Sequence, residues 1–240
     1  MRDFCIRIIA KLGISKTSSI YKQLERVYQI MLGSPPLYFK SYSQFGEDVV
    51  MRSFLDGRKV SYLDIGSGHP VAGSNTYFLY KSGYNGILID PLKSNAELTK
   101  KFRPLDRFIL AGVSSRCSTL IFYEFDPYQL STFDENVYRQ RVVEGVPFVR
   151  SESIPMITIA SLGLTNNPDV QLFLSVDTEG FEMQVLKGFD FSTLTPDVIV
   201  IEDWNRSRPT EETEIFSFLT DKGYQWSSRV HFSDIYILNS

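Results

Sequence analysis

The sequence is poor in the residues that build metal centres and covalent frameworks. Its 240 residues include two cysteines and two histidines. Cys5 and Cys117 are too few for a disulfide framework and lack the spacing of a thiolate metal site. His69 and His231 alone exclude a His-rich centre. Positive charge is not in excess either: 25 Lys and Arg stand against 28 Asp and Glu, a formal net charge of −3. No global field therefore draws the chain onto nucleic acid, and no nucleic-acid partner is expected. Apolar runs reach only a few residues, as in Val198-Ile199-Val200-Ile201, far short of the ~20 needed to cross a bilayer. Internal repeats and low-complexity tracts are absent too. What is present, 43% hydrophobic and 22% charged residues, suits one large globular core and is short for two. The expectation is a soluble, enzyme-sized domain of a reducing compartment, the cytoplasm.

The amino terminus carries Arg2, Arg7, Lys11 and Lys16 against Asp3, interleaved with Phe4, Ile6, Ile8, Ile9 and Leu12. Arg7 and Lys11 break the apolar stretch that a secretory leader needs. A basic amphipathic helix here suits packing on the domain, or peripheral contact with an anionic membrane surface. Over 18–32 the apolar residues Ile20, Leu24, Val27, Tyr28 and Met31 share one helical face. Gly33-Ser34-Pro35-Pro36 stops that helix. Residues 1–40 are therefore expected to be a helical extension, and 41–240 the main domain.

From residue 60 onward, β-rich runs alternate with helical patterns. Strands are expected over 60–65, 86–90, 108–113, 172–176 and 198–201, with a terminal pair over 224–227 and 235–238. The extended run 120–125 is expected to pair with 108–113. Helices are expected over 74–82, around Leu98 and Phe102, over 181–187, and after a Thr210 cap followed by Glu211, Glu212 and Glu214. Strands alternating with helices give an α/β fold with a mostly parallel sheet flanked by helices. Ligands of such sheets sit beyond the carboxyl ends of the strands. Residues 64–68, 90, 113–115, 177–180 and 202–205 are the positions to search, and carboxylates recur at most of them.

Asp64-Ile65-Gly66-Ser67-Gly68 follows a strand and precedes a helix. Glycines there let the backbone turn tightly and approach a ligand. The spacing Gly66-x-Gly68-x-x-x-x-Gly73 departs from G-x-G-x-x-G, and Pro70 disturbs a helix start that would receive a pyrophosphate. Asp90 ends the next strand, where an acid suits the two hydroxyls of a ribose. A nucleoside without a pyrophosphate, such as S-adenosylmethionine, fits better than NAD.

Ser43-Gln44-Phe45-Gly46-Glu47-Asp48, Asp64-Ile65-Gly66, Ser74-Asn75-Thr76 and Ile89-Asp90-Pro91 resemble FkbM-type methyltransferases. Leu130-Ser131-Thr132-Phe133, the run from Ser175-Val176-Asp177 to Glu182, and Val185-Leu186-Lys187-Gly188 match the same pattern in the same order. The resemblance spans roughly residues 41–205. It implies a Rossmann-like fold of the class I methyltransferase type and S-adenosylmethionine-dependent methylation, mostly of oxygen on sugars, polyketides or other natural products. By it, Asp64, Gly66, Ser67 and Gly68 would line the methionine end of the cofactor and Asp90 would bind its ribose. Residues 112–114, Ser114 included, would flank the adenine. Asn75 and Thr76 would bind the carboxylate or cap a helix, and Gln44 and Glu47 would fold over as polar contacts.

Methyl transfer to an alcohol wants the acceptor oxygen held in place and its proton removed, by a base or with a metal. Asp177, Glu179 and His69 are the candidate bases. Alternatively Asp177, Glu202 and Asp203, at neighbouring strand ends, would hold Mg²⁺. That layout resembles metal-dependent sugar and catechol O-methyltransferases. A small-molecule or glycan acceptor is expected over residues 115–160. Tyr123, Phe125, Tyr128, Phe133 and Tyr138 offer stacking faces there, and Arg139, Arg141 and Arg150 offer charge for a phosphate or carboxylate. Two rivals stand beside this reading. One is an NAD-dependent sugar oxidoreductase using Tyr77 and Lys81, and the other a non-catalytic scaffold at a membrane surface. The sequence sets no oligomeric state.

Overall fold

A computed structural model describes residues 40–204 and 212–239, together with Ser18. The chain divides into two units, Met1–Lys40 and Ser41–Ser240. The expected basic amphipathic start, the helix over 18–32 apart from Ser18, and Thr210 lie outside the described residues.

Along the second unit, α1 (Glu47–Met51) precedes β1 (Lys59–Ile65), α2 (Tyr77–Lys81), β2 (Ile87–Asp90), α3 (Lys93–Phe102), β3 (Arg107–Leu110) and β4 (Gly112–Val113). Next come β5 (Ser118–Phe125), α4 (Glu135–Val143), β6 (Phe148–Ile157), β7 (Val170–Val176) and α5 (Glu182–Lys187). β8 (Val198–Glu202), α6 (Glu214–Asp221), β9 (Tyr224–Val230) and β10 (Ser233–Leu238) complete the unit. Seven strands form one sheet in the order β3-β2-β1-β7-β8-β10-β9. β3, β2, β1, β7 and β8 run parallel, whereas β10 is antiparallel to β8 and β9 to β10. This is the mostly parallel α/β sheet expected from the strand–helix alternation.

Strands covered on both faces are apolar at both parities. Leu63, Ile65, Leu174, Val176, Ile199 and Ile201 pack with Val185 and Leu186 of α5 and Ile215 and Leu219 of α6. Tyr62, Leu88, Phe173, Val198 and Val200 pack on the other face with Met51, Phe78 and Leu79. Chain order reverses between β1 and β7, and a parallel sheet opens a crevice at such a point. Among the described residues, no helix is long and apolar enough to cross a membrane.

Three expectations are corrected. Residues 108–113 are not one strand: the chain leaves the main sheet after Leu110, and β4 pairs with Met156 and Ile157 of β6. Gly112 permits that crossing, because a Cβ there would lie 2.5 Å from Met156 Sδ. The run 120–125 pairs antiparallel with β6 rather than with 108–113, giving a second sheet, β4-β6-β5. The cap of α6 is Thr213, whose Oγ1 accepts from Phe216 N at 3.2 Å.

Candidate functional site

A cavity of about 660 Å³ opens beyond the carboxyl ends of β1, β2, β7 and β8. Its floor is the glycine turn. Gly66 N and Ser67 N donate to Ile89 O at 2.9 and 3.3 Å, and Asp177 N donates to Ile65 O at 3.0 Å. The turn is thus pinned between β2 and β7. At Gly66, φ is 72° and a Cβ would lie 1.7 Å from Asp177 O, so only glycine fits. Gly68 N donates to Asp90 Oδ2 at 2.9 Å. The other Asp90 oxygen accepts from Leu92 N at 2.9 Å and Asn95 Nδ2 at 3.0 Å. Burial pushes the Asp90 carboxyl up, and these donors pull it back. Ser67 Oγ is buried with no hydrogen-bond partner. A carboxylate held rigidly beside an unsatisfied hydroxyl suits a polyol or amino-acid ligand, whose donors and acceptors would satisfy both.

Gln44 and Phe45 close this cavity from the segment before α1. Asp48 knits that segment, accepting from Ser41 Oγ at 2.7 Å, Tyr42 N at 3.0 Å and Ser43 Oγ at 2.9 Å. Gly73 N donates to Tyr42 O at 2.7 Å and ties it to the glycine turn.

Of the expected cofactor residues, Gln44, Gly66, Ser67, Gly68 and Asp90 line the cavity. Glu47, Asp64, Asn75, Thr76 and Ser114 do not; they brace its walls. Asp64 accepts from Thr76 Oγ1 at 2.5 Å, and Arg103 Nη2 donates to that same hydroxyl at 3.0 Å. Burial pushes the Asp64 carboxyl up to about 6, with the Arg103 charge opposing it. Asn75 Nδ2 donates to Ser175 Oγ at 3.2 Å. Glu47 accepts from Phe45 N at 2.9 Å, and Ser114 N donates to Ile157 O at 2.9 Å. Arg103, legible in the sequence only as a helix end, is fully buried and donates through Nε to Asp106 at 2.6 Å.

Across the cavity, Asp177, Glu179 and Glu202 each bring one carboxylate oxygen within 4.8 Å of the others. The turn after β7 is shaped for this. Glu182 accepts from Thr178 N and Thr178 Oγ1, both at 3.0 Å, and from Gly180 N at 3.1 Å. Thr132 Oγ1 donates to Glu179 O at 2.9 Å. Glu179 itself sits at φ 56°, a left-handed conformation uncommon outside glycine. Arg141 of α4 donates through Nη2 to Glu179 Oε2 at 2.5 Å and through Nη1 to Leu130 O.

Burial, and then the charges of their neighbours, raises the carboxyl of Asp177. The same two causes raise Glu179, against the pull of Arg141, and Glu202. Glu202 Oε2 is buried with no hydrogen-bond partner. Such a cluster holds protons at neutral pH or accepts a hard cation. The cation set expected from the sequence differs from it in one member. Asp203 lies outside: its N donates to Phe232 O at 2.7 Å, and its carboxylate lies 3.8 Å from Arg229. Glu179 takes the third place. His69 lines the cavity, but its Nδ1 already accepts from Val71 N at 3.1 Å and Ala72 N at 3.0 Å, which leaves the ring proton on Nε2.

The aromatics expected to meet an acceptor divide. Tyr128 and Phe133 line the cavity, whereas Tyr123 stacks on Tyr138 at 4.2 Å and Phe125 packs against Tyr138 and Phe148. Arg139 donates to Glu135 at 2.6 Å and Arg150 to Glu124 at 2.7 Å, so with Arg141 all three arginines are engaged by carboxylates of the chain. Tyr77 packs edge-on against Tyr42 at 4.8 Å; neither it nor Lys81 lines the cavity.

Residues 64–226 match the family described as Methyltransferase FkbM domain. No curated protein matches the chain significantly. Among solved structures, a TehB-like S-adenosylmethionine-dependent methyltransferase from Corynebacterium glutamicum ATCC 13032 Kitasato is similar at 14% identity and TM-score 0.41, over 90% of this chain and 93% of that one. A similar enzyme class is represented by an S-adenosylmethionine-dependent methyltransferase from Aquifex aeolicus, at 16% identity and TM-score 0.37 over 80% and 89%. The 1,6-didemethyltoxoflavin-N1-methyltransferase of Burkholderia thailandensis aligns at 10% identity and TM-score 0.38, over 98% of this chain and 88% of that one.

Proposed function

The chain belongs to the methyltransferase FkbM family, and on that premise we propose that it moves a methyl group from S-adenosylmethionine to a hydroxyl of a sugar, glycan or related metabolite. The observation that carries the acceptor side is the Asp177–Glu179–Glu202 cluster, set across one cavity from Asp90 and Ser67. The residues present fit the cofactor. Asp90 is oriented by three donors and suits a ribose. Ser67 Oγ lacks a partner, and the bare Cα of Gly66 lets the glycine turn pack directly on the Asp177 backbone, which brings Asp90 and the acid cluster to one cavity. Bound there, the cofactor supplies an electrophilic methyl group on a sulfonium.

The chain's own part is to orient the acceptor and take its proton. An alcohol attacks well only as its proton leaves, and a base with a pKa near the working pH takes it best. Burial lifts Asp177 to about 7, and its hydrogen bond with Glu202 keeps it from rising further. Glu202, raised more strongly by burial and by the neighbouring Asp177 charge, keeps its own proton. The Asp177 carboxylate is the base on this reading. Arg141 holds Glu179 in place beside it.

A second use of the same oxygens is favoured by the unpartnered Glu202 Oε2: Asp177, Glu179 and Glu202 would hold Mg²⁺, a cation that takes such oxygen ligands together with water.

Calorimetric titration with S-adenosylmethionine tests the premise. Binding in the micromolar range is expected, weakened at least about tenfold in Asp90→Ala. Turnover with Mg²⁺ and with a chelator then decides between base and metal. Absence of cofactor binding would leave the scaffold reading in its place.

A further inference from the structure

We propose that the acceptor is an uncharged pyranose-type sugar, stacked on an aromatic wall formed by Phe45, Trp204 and Phe232. This rests on the reading of the chain as a hydroxyl methyltransferase and assigns the acceptor's class and seat. The wall is continuous. Trp204 and Phe232 rings lie 4.3 Å apart at 34°, His231 meets Phe232 edge-on at 4.2 Å, and Phe45 stacks on His231 at 3.5 Å and 17°. Phe45, Trp204 and Phe232 all line the cavity that holds the carboxylate cluster. Phe45 and Trp204 nevertheless remain 48% and 45% exposed. Large rings left open inside a concave site are apolar surface awaiting a ligand.

Position and charge narrow that ligand. Trp204 and Phe232 line the same cavity as Asp177, Glu179 and Glu202, so a ligand seated on the wall shares that space with the carboxylates. A pyranose has the matching form: a face of C–H groups for the aromatic plane, and hydroxyls around its rim for Asp177 and Glu202. The described residues lining the cavity include Asp90, Asp177, Glu179 and Glu202 but no lysine or arginine. Arg139, Arg141 and Arg150 are committed to Glu135, Glu179 and Glu124. Among the described residues, the lining supplies no cationic side chain to pair with a phosphate or carboxylate, whose burial there would go uncompensated. The sequence drew attention to aromatics over 115–160; the wall comes instead from the segment before α1, the end of β8 and the β9–β10 turn.

The test is saturation-transfer NMR on the full chain with methyl glucoside, galactoside, mannoside and rhamnoside, each with and without S-adenosylhomocysteine. The 6-phosphates of the three hexosides and the 2-amino form of the glucoside serve as charged counterparts. At least one neutral glycoside is expected to bind, with saturation strongest on one C–H face. Trp204→Ala should weaken it about tenfold and Trp204→Phe by less than about threefold, because a ring is kept. Calorimetric S-adenosylmethionine affinity should stay within about twofold in both variants, which shows that the fold persists. The proposal is overturned if no neutral glycoside binds, if a charged counterpart binds more tightly than its parent, or if Trp204→Ala leaves glycoside affinity unchanged. Association with phosphatidylglycerol vesicles that depends on Trp204, in place of glycoside binding, would overturn it in favour of a membrane contact. Failure of S-adenosylmethionine to bind would remove the enzymatic premise and leave the glycoside result readable by itself.

Discussion

Asp177, Glu179 and Glu202 crowd three carboxyl groups into one small buried volume, and their protons become a property of the group rather than of any one residue. Unfolded, Asp177 and Glu179 release their protons near 3.8 and 4.5; folded, burial and mutual repulsion hold those protons to about 7 and about 8. Between these limits the folded state binds more protons than the unfolded one, so stability must fall as pH rises from about 4 to about 8. Catalysis by an ionised base runs the other way and should improve over the upper part of that range. Glu202→Gln removes a carboxyl that must take up a proton to fold at neutral pH and above. In chelator-treated protein we expect it to flatten the pH dependence and to raise stability at pH 8 by about 1–2 kcal/mol. Urea unfolding of both proteins at pH 6 and pH 8 measures this; equal wild-type stability at the two pH values would refute it. At this scale the sequence disclosed which residue types gather at strand ends, but not which side chains meet. Asp203 adjoins Glu202 in sequence yet turns to Arg229, while Glu179 reaches the cluster through a left-handed backbone that no residue pattern announces.

The elements meet at two short turns, and the motif Leu130-Ser131-Thr132-Phe133 joins them. Thr132 Oγ1 donates to Glu179 O and accepts from Asp134 N at 3.0 Å, while Ser131 Oγ accepts from Phe125 N at 3.1 Å. One tetrapeptide therefore latches the β5–α4 loop to the turn that carries the acids. Thr132→Ala should cost about 1 kcal/mol, one buried hydrogen bond, and should lower kcat more than it raises the KM for cofactor. Thermal melts and steady-state kinetics would show it, and an unaltered kcat would argue that the latch is structural only. Most elements were legible beforehand because runs such as 60–65 and 198–201 are buried on both faces and read as continuous apolar stretches. β6 was not. Its first six positions, Phe148 to Ser153, are largely exposed, and Pro155 sits inside it, so neither a buried run nor clean alternation marks it.

At the scale of the molecule, the sheet ends in an antiparallel hairpin whose turn reaches the site through Phe232 and whose strands are tied together by a buried acid. Asp234, fully buried on β10, accepts from Trp226 Nε1 at 2.9 Å and from Arg229 Nε and Nη2 at 2.9 and 2.5 Å. Asp234→Ala would leave that indole unsatisfied and Arg229 facing Asp203 alone, at a cost of about 2–3 kcal/mol. The urea midpoint should drop accordingly while S-adenosylmethionine affinity holds, since the glycine turn lies on the other flank of β7. A matching loss of cofactor affinity would show that the hairpin supports the whole sheet rather than one side of it. That division into flanks would let the two halves of the site change separately. On the proposed reading, cofactor contacts come from β1, β2 and the loops beside them, whereas Trp204 and Phe232, which would seat the acceptor, come from β8 and the hairpin. Substitutions on the β8–hairpin flank would then retune which molecule is modified while the donor's seat on the β1–β2 flank stays intact, so specificity and donor use are separable by design.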